Sequence, residues 1–487
     1  MDATQALDLD LLQVRPLLQA GTLSSHDLAA AALQRAEAVQ PLCNAFIDLQ
    51  REAALAAARQ ADREPSAGAL SGIPIALKDM FYRRGQVSTC GSALRQQWRA
   101  SSTATVVQRL DAAGAVCLGT LNMTEFAYGP TGQNAFYGDA RNPWNPQCIS
   151  GGSSSGAAIA VATRSAFATL GSDTAGSVRM PAALCGITGL KTTYGLVPRS
   201  GCMPLSANLD TVGPLTRSVL DNAHLLDLIA GNDNSDPACL PFASLPRGGY
   251  LAAARAGAEG GSLAGLRIGL PRGYFDRGLA PVIERLIEQA AAQLEAAGAQ
   301  LVTVKMPNSL DGLNAAAVLL NWGDVLSLHG RHLQDPSAPL SAQTRGRMEV
   351  ALGASAQDYT DALRYRGLAV QRFAAEVFGR CDLLLAPVLA MHTPALSEVD
   401  VSGGPAMMRT LDEITRLTRP ANMLGIPALA LPCGFTPAGM PVGLQLMGRP
   451  FSERLLYRVG AAYQARTGWH RHSPTAALLA SAGHTGG

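Results

Sequence analysis

The sequence predicts an α/β protein built around one large sheet, and three features carry that expectation. Short apolar runs of strand length alternate with helix-length amphipathic stretches along the chain. Several of those runs carry no charge and read as buried strands. The chain has 487 residues, 47% of them hydrophobic, enough for a large buried core.

Taken in order, the first 65 residues read as helices packed around one short strand. Ser24-Ser-His-Asp27 supplies an N-cap before a helix over 28–39, in which Ala29, Leu33 and Ala36 recur at helical spacing. Gly72-Ile-Pro-Ile-Ala-Leu-Lys78 reads as a buried strand ending in a charge, followed by a helix over 105–113 and a strand over 115–119. From about 136 to 214 the texture changes: Gly, Ser and Thr are dense, with apolar runs at 157–162 and 166–170. Segments of this kind build tight turns and anion cradles. The stretch 232–261 is rich in Gly, Pro, Asp and Ala and reads as a variable excursion. Beyond it come a strand over 266–270, a helix marked by Val282, Ile283, Leu286, Ile287, Ala290 and Leu294, and a strand over 301–304. A mostly helical region spans 310–378, and buried strands are expected at 382–386, 428–431 and 442–447. No internal repeat is present. The expected organisation is one domain over 1–487: a helical part (1–65), a core (66–230), the excursion, and a second part of the sheet with helical decoration (262–487).

Composition narrows the function. Charged residues make up 16% of the chain and the formal net charge is +2, without the concentrated basic patches of a nucleic-acid or membrane-surface protein. A small neutral substrate suits this balance better. Nine cysteines occur with no CxxC pair and no cysteine–histidine cluster at zinc-ligand spacing. That pattern favours reduced thiols in a cytosol. Asp2, Asp8 and Asp10 stand where a secretory leader carries positive charge, and no apolar run approaches the roughly 18 to 20 residues of a membrane span. The expectation is a soluble, cytoplasmic protein with neither metal nor organic cofactor.

Three segments carry chemistry. Lys78 closes an apolar strand, so it either emerges at the strand tip or lies buried. Ser150-Gly-Gly-Ser-Ser-Ser-Gly156 places adjacent hydroxyls between glycines directly before an apolar helix; Ser154 or Ser155 could serve there simply as N-cap. The Gly-Lys-Ser/Thr ending of a phosphate loop is missing. Gly171-Ser-Asp-Thr-Ala-Gly-Ser177-Val-Arg-Met-Pro181 surrounds Ser177 with small residues, letting consecutive N–H groups converge on one point as an oxyanion requires. Pro181 suits the first turn of a following helix, whose N-terminus favours negative charge. An ordinary strand–turn–helix connection would read the same way.

Together the segments resemble the amidase signature family. Gly151-Gly-Ser-Ser-Ser-Gly156 looks like its glycine-serine stretch, Asp173-Thr-Ala-Gly-Ser-Val-Arg179 like its nucleophile segment, and Gly72-Ile-Pro-Ile-Ala-Leu-Lys-Asp79 like its lysine strand. Ser153 follows Lys78 by 75 residues and Ser177 follows Ser153 by 24, as in the family. Similarity continues through Leu121-Asn-Met-Thr-Glu-Phe126, Arg141-Asn-Pro-Trp144, Gly186-Ile-Thr-Gly-Leu-Lys191, Asp210-Thr-Val-Gly-Pro214 and Pro441-Val-Gly-Leu-Gln-Leu-Met-Gly448, and is weakest over 232–400.

The resemblance implies a large mixed central sheet flanked by helices on both faces, and a serine hydrolase of amide bonds. Ser177 would be the nucleophile, with Ser153 passing its proton to a neutral Lys78, whose pKa must fall well below the ordinary ~10.4. The Gly152–Ser153 bond would be cis and Ser154 would hold Lys78. The N–H groups of Thr174, Ala175, Gly176 and Ser177 would bind the oxyanion, with Ala127 beside the substrate. Asp173 and Arg179 would brace the loop as an ion pair, or Arg179 would touch an anionic substrate. Ser155, Ala175 and Ala157 depart from the family's usual Gly, Gly and polar residue, and Ala175 then needs a backbone angle an L-residue can hold.

Other readings compete. Gly152-Ser-Ser-Ser-Gly156 also fits a G-x-S-x-G elbow centred on Ser154, which needs a strand directly before it and a downstream histidine such as His329, His332, His392, His470 or His472. Cys148 and Cys185 flank the active segments but lack a histidine within the motif. Within the resemblance, the alternative is the glutamine-hydrolysing subunit of a tRNA-dependent amidotransferase, which works bound to a partner. Against it, Gln371 stands where an arginine for the glutamine carboxylate is expected, and Thr415 where an aspartate for its ammonium is expected. The partner expected is a small-molecule amide, with no nucleic acid or membrane; a homodimer is plausible from the family. Fatty, aromatic, urea-like and carbamate substrates stay open, with the pocket placed around 127–133 and parts of 310–450.

Overall fold

A computed structural model describes residues 1–64, 68–240, 248–399 and 404–483. Its strands are β1 (Phe46–Leu49), β2 (Pro74–Lys78), β3 (Val116–Leu121), β4 (Ala168–Asp173), β5 (Thr188–Lys191), β6 (Thr211–Thr216), β7 (Arg267–Arg272), β8 (Gln300–Lys305), β9 (Leu383–Pro387), β10 (Ala428–Phe435) and β11 (Pro441–Gly448). They form one 11-stranded sheet in the order β1-β3-β2-β4-β6-β5-β10-β11-β9-β7-β8. The sheet is mixed: β2 runs parallel to β3 and β4, and β7 to β8 and β9, while the remaining neighbours are antiparallel.

Alternation along the strands sorts the apolar core onto two faces. Ile75, Leu77, Leu429, Leu431, Leu444 and Leu446 pack under the helices Val219–Ile229, Pro281–Ala296 and Glu453–Thr467. On the other face, Ala76 and Ala430 meet the helices Ser155–Ala162 and Arg179–Cys185. Farther along that face, Leu384, Ala386 and Ala428 meet Ser309–Gln334 and Ala356–Glu376. The small side chains of Ala157–Ala162 let their helix lie close to the sheet, with every residue buried. A residue after Ala76 and Leu77 returns to the Ala76 side, so Lys78 is delivered beneath that helix.

The expected strands are all present, each within a few residues of its expected ends. The N-cap also appears, with Ser24 Oγ accepting from the Asp27 N–H at 2.9 Å. Three strands, β4, β5 and most of β6, lie inside the Gly/Ser/Thr-rich interval of 136–214. Gly213 explains part of the disguise: a Cβ there would stand 1.8 Å from the Leu190 carbonyl oxygen, so the strand requires glycine. The 232–261 stretch differs from a plain excursion over its described part. Its helix Tyr250–Ala258 packs on Glu453–Thr467, where a Cβ on Gly257 would come 2.0 Å from the Arg458 carbonyl oxygen. Residues 241–247 lie outside the described set. Among the described residues no helix is long and apolar enough to cross a membrane, and no cluster of three or more His, Cys, Asp or Glu is placed to hold a metal ion.

Candidate functional site

The site lies at the carboxyl ends of the parallel strands β2 and β4, where open α/β sheets tend to bind ligands. Lys78, the last residue of β2, is completely buried rather than turned to solvent. Its Nζ lies 2.7 Å from Ser153 Oγ, 3.0 Å from Ser172 Oγ and 3.1 Å from Ser154 Oγ. Among the described residues no carboxylate pairs with it. Burial lowers its pKa from 10.5 to about 7, against the opposing pull of the more distant Asp210 and Asp173.

Ser153 and Ser154 come from a segment whose backbone leaves little freedom. The Gly152–Ser153 bond is cis. A Cβ on Gly152 would meet the Gly129 carbonyl oxygen at 2.5 Å, and one on Gly156 the Ala45 carbonyl oxygen at 2.2 Å, so both positions demand glycine. Ser154 stands at the N-cap of the helix Ser155–Ala162 but makes no side-chain cap bond. Its hydroxyl instead donates to the Ser172 carbonyl at 3.4 Å and accepts from Lys78. This arrangement removes the simple capping role for Ser154. It also fits poorly with the elbow reading, since no histidine among the described residues hydrogen-bonds Ser154. Cys185 is buried and its thiol is pushed well above the usual range, and burial raises that of Cys148 as well.

The loop after β4 carries Ser177, which is 6% exposed and lines the cavity described below. Its carbonyl accepts from the Ser154 N–H at 3.3 Å, which joins the two serine segments. No hydrogen bond from Ser177 Oγ occurs among the described residues. Of the four expected oxyanion donors, the Gly176 N–H already donates to Asp173 Oδ1 at 2.8 Å. No partner among the described residues takes the N–H groups of Thr174, Ala175 or Ser177. The left-handed angle falls on Gly176 (φ +125°) and not on Ala175, so the alanine is accommodated. Thr418 Oγ1 donates to the Ala175 carbonyl at 2.5 Å and fixes the turn. Thr174 Oγ1 donates to Asp210 Oδ1, also at 2.5 Å.

Asp173 and Arg179 form the expected ion pair, both fully buried, with Nη2–Oδ1 and Nε–Oδ2 each 3.0 Å. Burial alone would raise the carboxyl; Arg179 outweighs it and brings the pKa to about 2. Arg179 also donates to Asn422 Oδ1 at 2.7 Å and Gln445 Oε1 at 2.9 Å. Each guanidinium nitrogen has a protein partner and Arg179 does not line the cavity, an arrangement that fits the bracing role rather than contact with an anionic substrate.

The cavity over Ser177, about 100 Å³, lies between the loop carrying Ala127 and Tyr128, the turn after β4, and the helices Ser309–Gln334 and Ala342–Glu349. Ala127 lines it, as expected, with φ +59°. Thr415 lines it too, whereas Gln371 is exposed on the helix Ala356–Glu376 and carries no weight in identifying the substrate. The arginine that does reach the cavity is Arg347, which carries no signal in the sequence. Ser172, Thr418, Asn422 and Gln445 were missed as well. Of these only Gln445 leaves a sequence signal, a polar residue in the middle of apolar β11.

Comparison with known proteins identifies the family. A family model described as Amidase matches residues 27–457. The A-type chain of glutamyl-tRNA(Gln) amidotransferase from Chloroflexus aurantiacus is 40% identical, over 97% of this chain and 99% of its own length. A crystal structure of an amidase superposes with a TM-score of 0.82 at 31% identity, covering 94% of this chain and 100% of that one. The peptide amidase PAM, solved with the competitive inhibitor chymostatin, gives 0.79 at 32% identity over 96% and 98%. The chain belongs to the amidase signature family and is an amide-bond hydrolase.

Proposed function

We propose that the chain hydrolyses a carboxamide to a carboxylate and ammonia or an amine, through an acyl-enzyme on Ser177. The observation that carries this reading is the contact of buried Lys78 Nζ with Ser153 Oγ at 2.7 Å, with a pKa brought to about 7. A neutral amine has two N–H bonds and one lone pair. The Ser154 hydroxyl proton is committed to the Ser172 carbonyl, so Ser154 accepts from Lys78, and Ser172 Oγ takes the second N–H. The lone pair is left for Ser153.

The Ser153 proton moves to Lys78 as Ser153 takes the proton of Ser177, and Ser177 Oγ attacks the amide carbon. The N–H groups of Thr174, Ala175 and Ser177 stabilise the negative oxygen that forms, and hydrogen bonds of this kind tighten with substrate in place. On collapse the C–N bond breaks, and the proton returns from Lys78 through Ser153 to the leaving nitrogen. Water then attacks the ester by the same route, restoring Ser177 and releasing the acid.

A second reading, a glutamine-hydrolysing component that works bound to a partner, is favoured by the identity with the amidotransferase chain. Against it, Thr415 occupies the cavity position expected of an ammonium-binding acid, and no carboxylate lines the cavity among the described residues. Ammonia release from a panel of simple amides and glutamine, measured on the purified chain alone, separates the two. Hydrolysis of non-glutamine amides, lost in Ser177→Ala, supports the free-standing enzyme. Inertness until a partner is added, or action on glutamine only, supports the partner-bound component.

A further inference from the structure

The cavity holds a charge that the proposed chemistry does not use. Arg347 lies on the helix Ala342–Glu349, whose N-cap Ser341 accepts from the Thr344 N–H at 3.1 Å. The Ser341 hydroxyl donates to Glu125 Oε2 at 2.5 Å, which ties this helix to the loop carrying Ala127 and Tyr128. Arg347 is 5% exposed, and its guanidinium carbon sits 4.7 Å from the centre of the Tyr128 ring. Among the described residues no carboxylate, carbonyl or hydroxyl accepts from it, and Nη1 is buried without a partner. Burial lowers its pKa only to about 10, so it stays cationic at neutral pH.

A buried guanidinium without an acceptor is costly, and the two other arginines buried to this degree among the described residues each have acceptors. Arg179 has Asp173, Asn422 and Gln445; Arg217, equally buried, donates to the carbonyls of Leu7 and Leu9. The second cation of the cavity, Arg419, is paired with Asp412. The remaining walls are largely apolar, including Met180, Leu205, Val318, Trp322 and Leu411. No Asp or Glu lines the cavity among the described residues.

We infer that the substrate is an amide that carries a carboxylate and no ammonium group, with Arg347 receiving the carboxylate while the amide lies at Ser177. A guanidinium fork matches a carboxylate in shape and charge, and an ammonium would be desolvated here with nothing to pair it. The inference rests on the reading of Ser177 as nucleophile, and it makes Arg347 a specificity-determining residue.

The test is a comparison of kcat/KM on the unmodified chain. Monoamides of the dicarboxylic acids from malonic to adipic are set against their neutral diamides, and glutaramate against glutamine, which differs from it by the ammonium alone. The monoamides are expected to exceed the diamides by on the order of 10²-fold, and glutaramate to exceed glutamine by at least about 10-fold. Arg347→Gln should bring the monoamide-to-diamide ratio to within about threefold, with Arg347→Lys intermediate. Equal turnover of diamides, or preference for glutamine, overturns the inference and leaves the Ser177 chemistry standing. Inertness toward the whole series also overturns it, and labelling of Ser177 by a fluorophosphonate then decides whether the hydrolase reading falls too.

Discussion

Gly171→Ala tests how tightly the lysine must be held. Gly171 faces Ser154 from β4, and a Cβ there would stand 2.7 Å from Ser154 Oγ, 3.0 Å from Ser154 Cβ and 2.9 Å from Leu215 Cδ1. Ordinary contacts begin near 3.5 Å, so the neighbours must give way by roughly 0.8 Å. Leu215 and Ser154 are both fully buried, and Ser154 Oγ, the atom nearest the added carbon, takes the largest share of the displacement. A shift of that size ends the 3.1 Å bond from Lys78 and frees the amine to rotate its lone pair away from Ser153. Overpacking of this kind costs about 1–3 kcal/mol of stability, and a displacement near 1 Å costs on the order of 10²-fold in rate. The assay pairs kcat/KM with a urea unfolding curve, which separates loss of chemistry from loss of fold. A variant within twofold of the parent rate would refute the claim that Ser154 positions Lys78.

Other perturbations follow from the same geometry. Ser154→Ala should slow hydrolysis without abolishing it, whereas Ser177→Ala should abolish it with the fold retained; steady-state kinetics beside circular dichroism distinguish them. Asp173→Asn leaves Arg179 buried without its counter-ion and should cost about 3–5 kcal/mol at pH 7, read from the urea midpoint. The Asp173 carboxyl is depressed from 3.8 to about 2, so its contribution is complete above pH 4 and fades as the pH falls toward 2. Lys78→Met should remove activity yet stabilise the fold at pH 6. The fall in Lys78 pKa from 10.5 to about 7 corresponds to roughly 5 kcal/mol against the charged form. That penalty is full below pH 7 and shrinks up to pH 10.5. Orphaned hydroxyls offset part of the gain, leaving about 1–3 kcal/mol on denaturation.

Much of the site is legible in the sequence because its parts are local. An apolar run closed by Lys78, hydroxyls set between glycines, and small residues before Ser177 each express a constraint acting within a few residues. What escaped is assembled across the fold. Thr418, Asn422 and Gln445 brace the loop after β4 from more than two hundred residues away, and only Gln445, polar within an apolar strand, stands out in its own surroundings. Ser172 reads as one hydroxyl among many until the parallel pairing of β2 and β4 brings it to Lys78. Arg347 looks like a solvated helix residue, and only the packing of its helix against Tyr128 reveals a buried cation. Strand β6 was hidden because Gly213 and Pro214 are poor strand formers, tolerated here for a close backbone approach to Leu190.

The most direct test of the account is the pH dependence of Ser177 acylation by a fluorophosphonate, followed by mass spectrometry. If an uncharged Lys78 draws the serine proton, the second-order rate rises about tenfold between pH 6 and pH 8, levels above the pKa of about 7, and collapses in Lys78→Met. A rate indifferent to pH, or one preserved in Lys78→Met, would contradict it.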